Sequence, residues 1–499
     1  MYIWTDCDRE GEHIGAEAIA IARKANPRIE IKRARFSNLE RAHIIQAAQN
    51  PIAMDNRQVD AVNARMELDL RIGAAFTRFQ TLTLQKLGPQ FAKKVISYGS
   101  CQFPTLGFVV DRWKRVKNFV PEPFWYIKVV VEQDDQIVQF RWKRGHLFDR
   151  HATIVLYERC LMGATARVAS VVRKPTTKFR PFPLTTVELQ KQGTRFLGLS
   201  SHQIMTIAER LYTRGFISYP RTETDQFDKE MDLRALIQKQ VGDDDWGVYS
   251  QDLLNGSFKT PRNGRHNDKA HPPIHPVIHV ARSALTPDEY KVYAFITRRF
   301  LACCSDDAKG ESTSVELNWE GERFVASGIL VIARNYLDIY PYDKWESSEQ
   351  LPNFIQGHTI TPKEAEICEG KTTRPNYLTE PELIGLMEAN GIGTDATMAD
   401  HIAKIEEREY VRSLSSSSAL TNGVDAENDD GEVTRGRGRG RGTARGRGSR
   451  ANGRGGARAG VKTFVPSNLG ITLVDGYDSM QFEESLSKPH LRKEVCAIS

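Results

Sequence analysis

Ten residues, Phe216-Ile-Ser-Tyr-Pro-Arg-Thr-Glu-Thr-Asp225, carry the group best suited to covalent chemistry. Pro220 has no backbone donor and stops an ordered element running into it, leaving Tyr219 at the exit beside Arg221. A phenol with an ordinary pKa of about 10 is a poor nucleophile. It becomes a useful one where a cation and an acceptor stand beside it, because attack on a phosphodiester builds negative charge that must be held. The Arg221 guanidinium has the planar fork that grips a phosphate through two donors. Taken alone, Tyr-Pro-Arg is more often a structural tyrosine before a turn, so the reading depends on the other clusters in the chain.

The first of these is acidic. Asp6, Asp8 and Glu10 stand at alternate positions after a short strand at Tyr2–Thr5, in a loop expected to be extended, before a helix from His13 to Lys24. Three carboxylates pointing one way repel unless a cation joins them, and hard oxygen ligands suit Mg²⁺. The loop is too short for an EF-hand. A second cluster, Ile96-Ser-Tyr-Gly-Ser-Cys-Gln-Phe-Pro-Thr105, is a small-residue loop ahead of a helix expected over 105–115, an arrangement that offers free amides to an anion. Ser100, Gln102 and Thr105 add side-chain donors. Arg65 and Asp69 lie four apart on a long helical pattern from Val59 to about Leu84 and can pair on one face. Ala270-His-Pro-Pro-Ile-His-Pro276 holds His271 and His275 in an extended frame, each able to meet a phosphate, though a buried structural histidine is the commoner outcome. Asn390-Gly-Ile-Gly-Thr-Asp-Ala-Thr397 reads as a glycine turn between two helices, with Thr394 or Asp395 capping the second.

These pieces need a frame. The 499 residues are too many for one small core and imply about three to four domains. A hydrophobic share of 40% and a charged share of 26% describe a globular chain without a membrane span or signal peptide. The seven cysteines form no Cys-x-x-Cys pair, which reads as reduced thiols with neither a zinc site nor a disulfide frame. Nine arginines and no acid or lysine fall in 435–460; without them the formal charge drops from +6 to −3, so the folded body is not globally basic. Residues 413–462, serine-rich, then acidic, then Arg-Gly repeats, are too polar to fold, and the arginines suit salt-sensitive, sequence-indifferent contact with nucleic acid. Alternating strand patterns at 124–131, 137–142 and 166–172 find partners at 313–319, 323–326 and 328–332, with helices between them at 186–196 and 201–214. Pairing of the two sets makes one mainly antiparallel β domain with a helical insertion that carries Tyr219.

In combination and order, the acidic loop through Glu12, Arg65-x3-Asp69-x-Arg71-Ile-Gly73, Ser97-Tyr-Gly-Ser-Cys-Gln-Phe-Pro104, Ile217–Thr224 and Gly391-Ile-Gly-Thr-Asp-Ala-Thr397 resemble the type IA DNA topoisomerases, in wording the eukaryotic topoisomerase III alpha type. The resemblance implies a multi-domain mixed α/β toroid. Its parts are a partial Toprim domain at 1–50, a helical DNA-binding domain in pieces at 51–117, 376–412 and 463–499, a β domain at 118–184 and 311–375, and an inserted helical domain at 185–310. The insertion at 413–462 lies outside that plan. In the family a Toprim strand bearing a glutamate and a lysine precedes the acidic loop, so only the later half of that domain is expected here.

The resemblance makes Tyr219 the nucleophile that forms a 5′-phosphotyrosyl link and gives Arg221 the scissile phosphate. Asp6, Asp8 and Glu10 become Mg²⁺ ligands, with Glu10 also in the catalytic set. Ser97, Gly99, Ser100, Gln102, Arg65, Arg71, His271, Thr394 and Thr397 become contacts to single-stranded DNA. It further implies ATP-independent relaxation of underwound DNA, resolution of joined DNA in recombination and repair, a nuclear site, and a RecQ-type helicase and an OB-fold protein as partners. Two other readings stand beside it: a catalytically impaired nucleic-acid scaffold, and an enzyme that also acts on RNA.

Overall fold

The computed structural model describes residues 1–36, 41–346, 351–394, 397–414, 461–480 and 485–489. The Arg-Gly tract, Asp395 and Cys496 lie outside the described residues. The chain opens with β1 (Tyr2–Ile3), α1 (Arg9–Ala25), β2 (Lys32–Arg33), α2 (Arg41–Gln49) and α3 (Asn56–Gln85). β1 and β2 pair in parallel, Ile3 opposite Arg33. α1 begins four residues before the expected His13. Asp8 is its N-cap and accepts the Gly11 N–H at 2.6 Å, so Glu10 lies in the first turn, where a carboxylate suits the helix dipole. The extended acidic loop is therefore not formed past Asp8. Gly11 permits this tight start, since a Cβ there would lie 2.1 Å from the Asp6 carbonyl oxygen.

α4 (Gln102–Lys117) likewise starts three residues early. Thr105 is consequently buried inside the helix, its hydroxyl returned to the Cys101 carbonyl at 2.8 Å, and is not a loop donor. Then come β3 (Pro123–Gln133), β4 (Gln136–Trp142), α5 (Arg150–Leu161) and β5 (Ala166–Lys178). Five helices follow: α6 (Thr186–Phe196), α7 (Ser201–Thr213), α8 (Leu233–Lys239), α9 (Gly247–Asp252) and α10 (Pro287–Cys303). The strands then resume as β6 (Ala308–Trp319), β7 (Glu322–Ala333), β8 (Thr359–Ile360) and β9 (Glu364–Lys371). All seven long-region strands form one sheet in the order β8-β5-β6-β7-β4-β3-β9, every pair antiparallel. Strands from both sides of the α6–α10 excursion thus share a sheet. Alternation explains the ladder: Ile127, Val129 and Val131 point to the core from one face of β3.

The chain ends in β10 (Leu378–Thr379), α11 (Glu380–Ala389), α12 (Met398–Glu407), β11 (Val411–Leu414), β12 (Thr463–Pro466) and α13 (Asn468–Ser479). β11 and β12 pair antiparallel with Leu414 opposite Thr463, so the chain leaves and re-enters at facing residues on either side of 415–460. Among the described residues three buried apolar clusters form: one in 184–340 around Phe295 and Trp246, one joining α4 to 378–486, and one inside the sheet. The six described cysteines are free thiols. Among the described residues no helix is long and apolar enough to cross a membrane.

Candidate active site

Two residues past the end of α7, Gly215 has a φ of +75° and takes the left-handed turn that a side chain disfavours. The turn throws Phe216–Ser218 alongside 273–277. Ser218 N–H donates to the His275 carbonyl at 2.9 Å, Val277 N–H donates to the Phe216 carbonyl at 2.9 Å, and Ser218 Oγ donates to the Pro273 carbonyl at 3.1 Å. After Pro220, the buried Thr186 hydroxyl donates to the Pro220 carbonyl and accepts the Thr222 N–H, both at 2.7 Å. Thr222 Oγ1 in turn donates to Asp268, which also accepts the His271 N–H at 2.9 Å. Tyr219 is thereby fixed on both sides along the chain.

Its ring packs against His271, centroids 4.5 Å apart, and edge-on against Tyr212 at 5.1 Å. Each tyrosine meets one aspartate. Tyr219 Oη donates to Asp8 Oδ2 at 3.2 Å, and Tyr212 Oη donates to Asp6 Oδ1 at 3.1 Å. Burial, and next the charges of Asp8 and Asp6, hold the Tyr219 phenol well above its ordinary pKa against the opposing pull of Arg221. Burial and Asp6 raise Tyr212 likewise. His271 is buried, which favours its neutral form despite Asp268, and its Nε2 has no hydrogen-bond partner among the described residues. His275 is buried deeper: burial pushes it down to about 4, and its ring packs against Phe227 and Phe300.

Two expected pairings take a different form. Arg221 is turned onto Glu209, with Nε 3.0 Å from Oε1 and Nη2 on the same oxygen. Arg65 and Asp69 do not pair with each other: Arg65 bonds Glu10 at 2.7 Å, and Asp69 accepts from Ser100 Oγ at 2.7 Å. Long-range partners outcompete the one-turn neighbour, and one turn of α3 thereby braces both the acidic segment and the Ser97–Gln102 loop. Burial works against ionisation of Glu10, but its bond to Arg65 more than offsets this and holds it below the usual carboxylate range.

With Glu10 on Arg65 and Asp8 Oδ1 on its own helix, no three His, Cys, Asp or Glu side chains among the described residues gather as a metal-binding group. The expected three-carboxylate cradle is not formed. Asp6 and Asp8 fit the commoner Mg²⁺ pattern, in which one or two carboxylates act together with substrate phosphates.

The remaining site residues form a second cluster. Ser97 contributes its carbonyl to Tyr410 Oη at 2.6 Å. Gln102 Nε2 meets His401 Nδ1 at 3.0 Å, folded back so close that a Cβ on Gly99 would clash with it. Thr397 Oγ1 accepts the Thr394 N–H at 2.9 Å, and Thr394 starts α12 through its carbonyl rather than its side chain. Arg71 stands apart, exposed and paired with Glu67.

Residues 53–423 match the family model described as DNA topoisomerase, and residues 1–39 match the Toprim domain, a metal-binding domain. DNA topoisomerase 3 of Schizosaccharomyces pombe is 50% identical over 99% of this chain and 73% of its own length. The chain belongs to the type IA DNA topoisomerases. DNA topoisomerase 3-alpha of Homo sapiens is 46% identical over 99% of this chain, which spans 45% of that protein. Full-length topoisomerase I from Thermotoga maritima superposes with a TM-score of 0.63 at 25% identity, over 82% of this chain and 66% of its own. The family acts on single-stranded DNA.

Several residues that shape the site carried no sequence signal of their own. Arg33 is fully buried and donates to Glu12 Oε1 at 2.8 Å, the Thr5 carbonyl at 2.8 Å and the Asp6 carbonyl at 2.7 Å, yet it reads like its basic neighbours Lys32 and Arg35. Tyr212 and Glu209 are hidden in the helical pattern of α7. Asp268 and His401 sit three and four residues from motif positions His271 and Thr397, the one clue to their roles.

Proposed function

We propose that Tyr219 cleaves and rejoins single DNA strands through a 5′-phosphotyrosyl intermediate. The observation that carries this reading is the meeting of Tyr219 Oη with Asp8, beside Asp6 and Tyr212, from segments about two hundred residues apart in the chain. The phenolic oxygen bonds to the scissile phosphorus, and the bond from phosphorus to the neighbouring 3′ oxygen breaks. The phenolic proton passes to the Asp8 carboxylate and on to the departing 3′ oxygen. Rejoining reverses these steps, so the phosphodiester energy stays in the phosphotyrosine and no ATP is consumed. Arg221 leaves Glu209 for the arriving phosphate, a charge-assisted contact of the kind guanidinium favours. Neutral His271 flanks the ring. Asp6 and Asp8 are the residues that would hold Mg²⁺, with Glu10 as a third carboxylate once Arg65 releases it; the ion supplies positive charge beside the phosphate.

The Ser97–Gln102 loop, with Gly99 and Ser100, the Thr394–Thr397 turn, Arg65 and Arg71 grip the strand. Passage of a second strand relaxes negative supercoils and resolves joined DNA in recombination and repair, in the nucleus, with a RecQ-type helicase and an OB-fold protein as partners. The nine arginines of 435–460 favour added salt-sensitive contact with single strands, RNA included.

The test is covalent trapping. The chain is incubated with end-labelled single-stranded DNA and Mg²⁺, then denatured. A labelled adduct that Tyr219→Phe lacks is the expected result. Retained DNA binding with no adduct would overturn the reading in favour of a scaffold.

A further inference from the structure

Tyr219 does not lie on a flat surface. A cavity of about 320 Å³ opens beside it and His271. That is near the lower end of the range for sites that enclose a small organic group, about 300–1,000 Å³. Met231, Leu236, Val277 and Phe36 supply apolar wall, the exposed Lys239 and Arg41 contribute cations to the lining, and Asp6 and Asp232 contribute carboxylates. The apolar part of the wall suits a flat heteroaromatic ring, and the two cations suit the phosphates on either side of it. A second observation points to a ligand. His271 is only 7% exposed, yet its Nε2 has no partner among the described residues, while its Nδ1 faces Asp268. A buried polar atom without a partner is costly, and a turn of the His271 ring towards the cavity it lines would let an edge nitrogen or oxygen of a base satisfy it. Most of the wall comes from the 212–277 stretch that also carries Tyr219.

We propose that this cavity is a base pocket for the nucleotide that remains attached to Tyr219 through its 5′ phosphate. The proposal rests on the strand-cleavage reading above and extends it. Cleavage leaves one new end free as a 3′ hydroxyl and the other held by a single covalent bond. A seated base gives the held end a second point of attachment, so the phosphotyrosine keeps the orientation from which rejoining starts.

The experiment uses the full chain, Mg²⁺ and a single strand with one mapped cleavage position, labelled at its 3′ end. Three versions are compared: intact, abasic at the nucleotide just 3′ of the break, and abasic just 5′ of it. Removal of the 3′ base is expected to lower the adduct about tenfold, a loss within the range for one stacked base, and removal of the 5′ base is expected to change it less than about twofold. Ala235 lines the cavity from the exposed face of α8. Ala235→Trp is expected to reduce the adduct on the intact strand to the level of the 3′-abasic strand, and to make the enzyme indifferent to that base. Equal adduct from the intact and 3′-abasic strands overturns the pocket while strand cleavage stands. So does an Ala235→Trp loss of the same factor on both strands. No adduct from the intact strand overturns the cleavage reading, and the pocket with it.

Discussion

Tyr219 and the two aspartates that face it are held by different kinds of structure. The tyrosine follows Ile217, part of a large apolar cluster, and its flanking backbone is bonded to 273–277 on one side and to Thr186 on the other. The aspartates belong to a segment that adds no residue to any of the three apolar clusters among the described residues. Its sheet is two residues wide on each strand, and Tyr2, Trp4, Ile14 and Ile21 are exposed. What fixes Asp6 there is electrostatic: the buried Arg33 binds the Thr5 and Asp6 carbonyls and is neutralised by Glu12, whose other oxygen accepts the Asp55 N–H. A nucleophile can thus be placed by packing and backbone pairing, while the carboxylates that face it depend on one ion pair. Loss of a single partner harms the second arrangement more than the first.

The largest effect expected tests the shared chemistry: Tyr219→Phe reduces the trapped adduct to background, with thermal unfolding little changed, because the ring packing survives. Next, Arg33→Ala leaves Glu12 buried and unpaired. Breaking such a pair costs about 3–5 kcal/mol, so local unfolding of residues 1–36, read by amide hydrogen exchange, becomes far more frequent and adduct formation falls with it. If exchange in that segment stays unchanged, the contrast between the two halves is wrong.

The packed half has its own weakness, in acid. His275 is held neutral with a pKa of about 4 against an ordinary 6.5, so the unfolded chain binds a proton that the folded chain refuses. Stability is therefore full above about pH 6.5 and declines as pH falls towards 4, by at most about 3 kcal/mol. Thermal melts across that window should show the slope, and His275→Leu should flatten it. The smallest effect belongs to Glu209→Gln, which frees Arg221 from a half-exposed partner. Single-strand affinity should rise by no more than about fivefold, the factor corresponding to a surface pair of about 1 kcal/mol or less. Filter binding at fixed salt reads it, and weaker binding would show that Glu209 orients Arg221 rather than competing for it.

The sequence made the elements legible where periodicity was strong. The helices α6 and α7 to within a residue, the joining of the strands before and after them in one sheet and the approximate length of α3 all follow from apolar spacing. It was less informative wherever a local rule met a distant partner. Arg65 and Asp69 satisfy the one-turn pairing rule, yet each finds a better partner more than thirty residues away. Asp8 was legible as an acid but not as a cap, and that one hydrogen bond turns Glu10 out of the expected row. Arg33 could not be singled out because burial is a property of the fold and not of an Arg codon among basic neighbours.

Lys178 and Ala308 face each other as the end pair of the β5–β6 ladder. Residues 179–307, which include the nucleophile, therefore leave and rejoin the sheet at a single place. A pull on that body along the strand axis loads β5 and β6 together and in the same direction, so it does not prise them apart. The strain passes instead to the ladder between β6 and β7, which runs from Lys309 opposite Ala333 to Trp319 opposite Glu322. That ladder is loaded in shear, with its hydrogen bonds sharing the force rather than parting one after another. The sheet acts as a mechanical anchor, stiff towards tension.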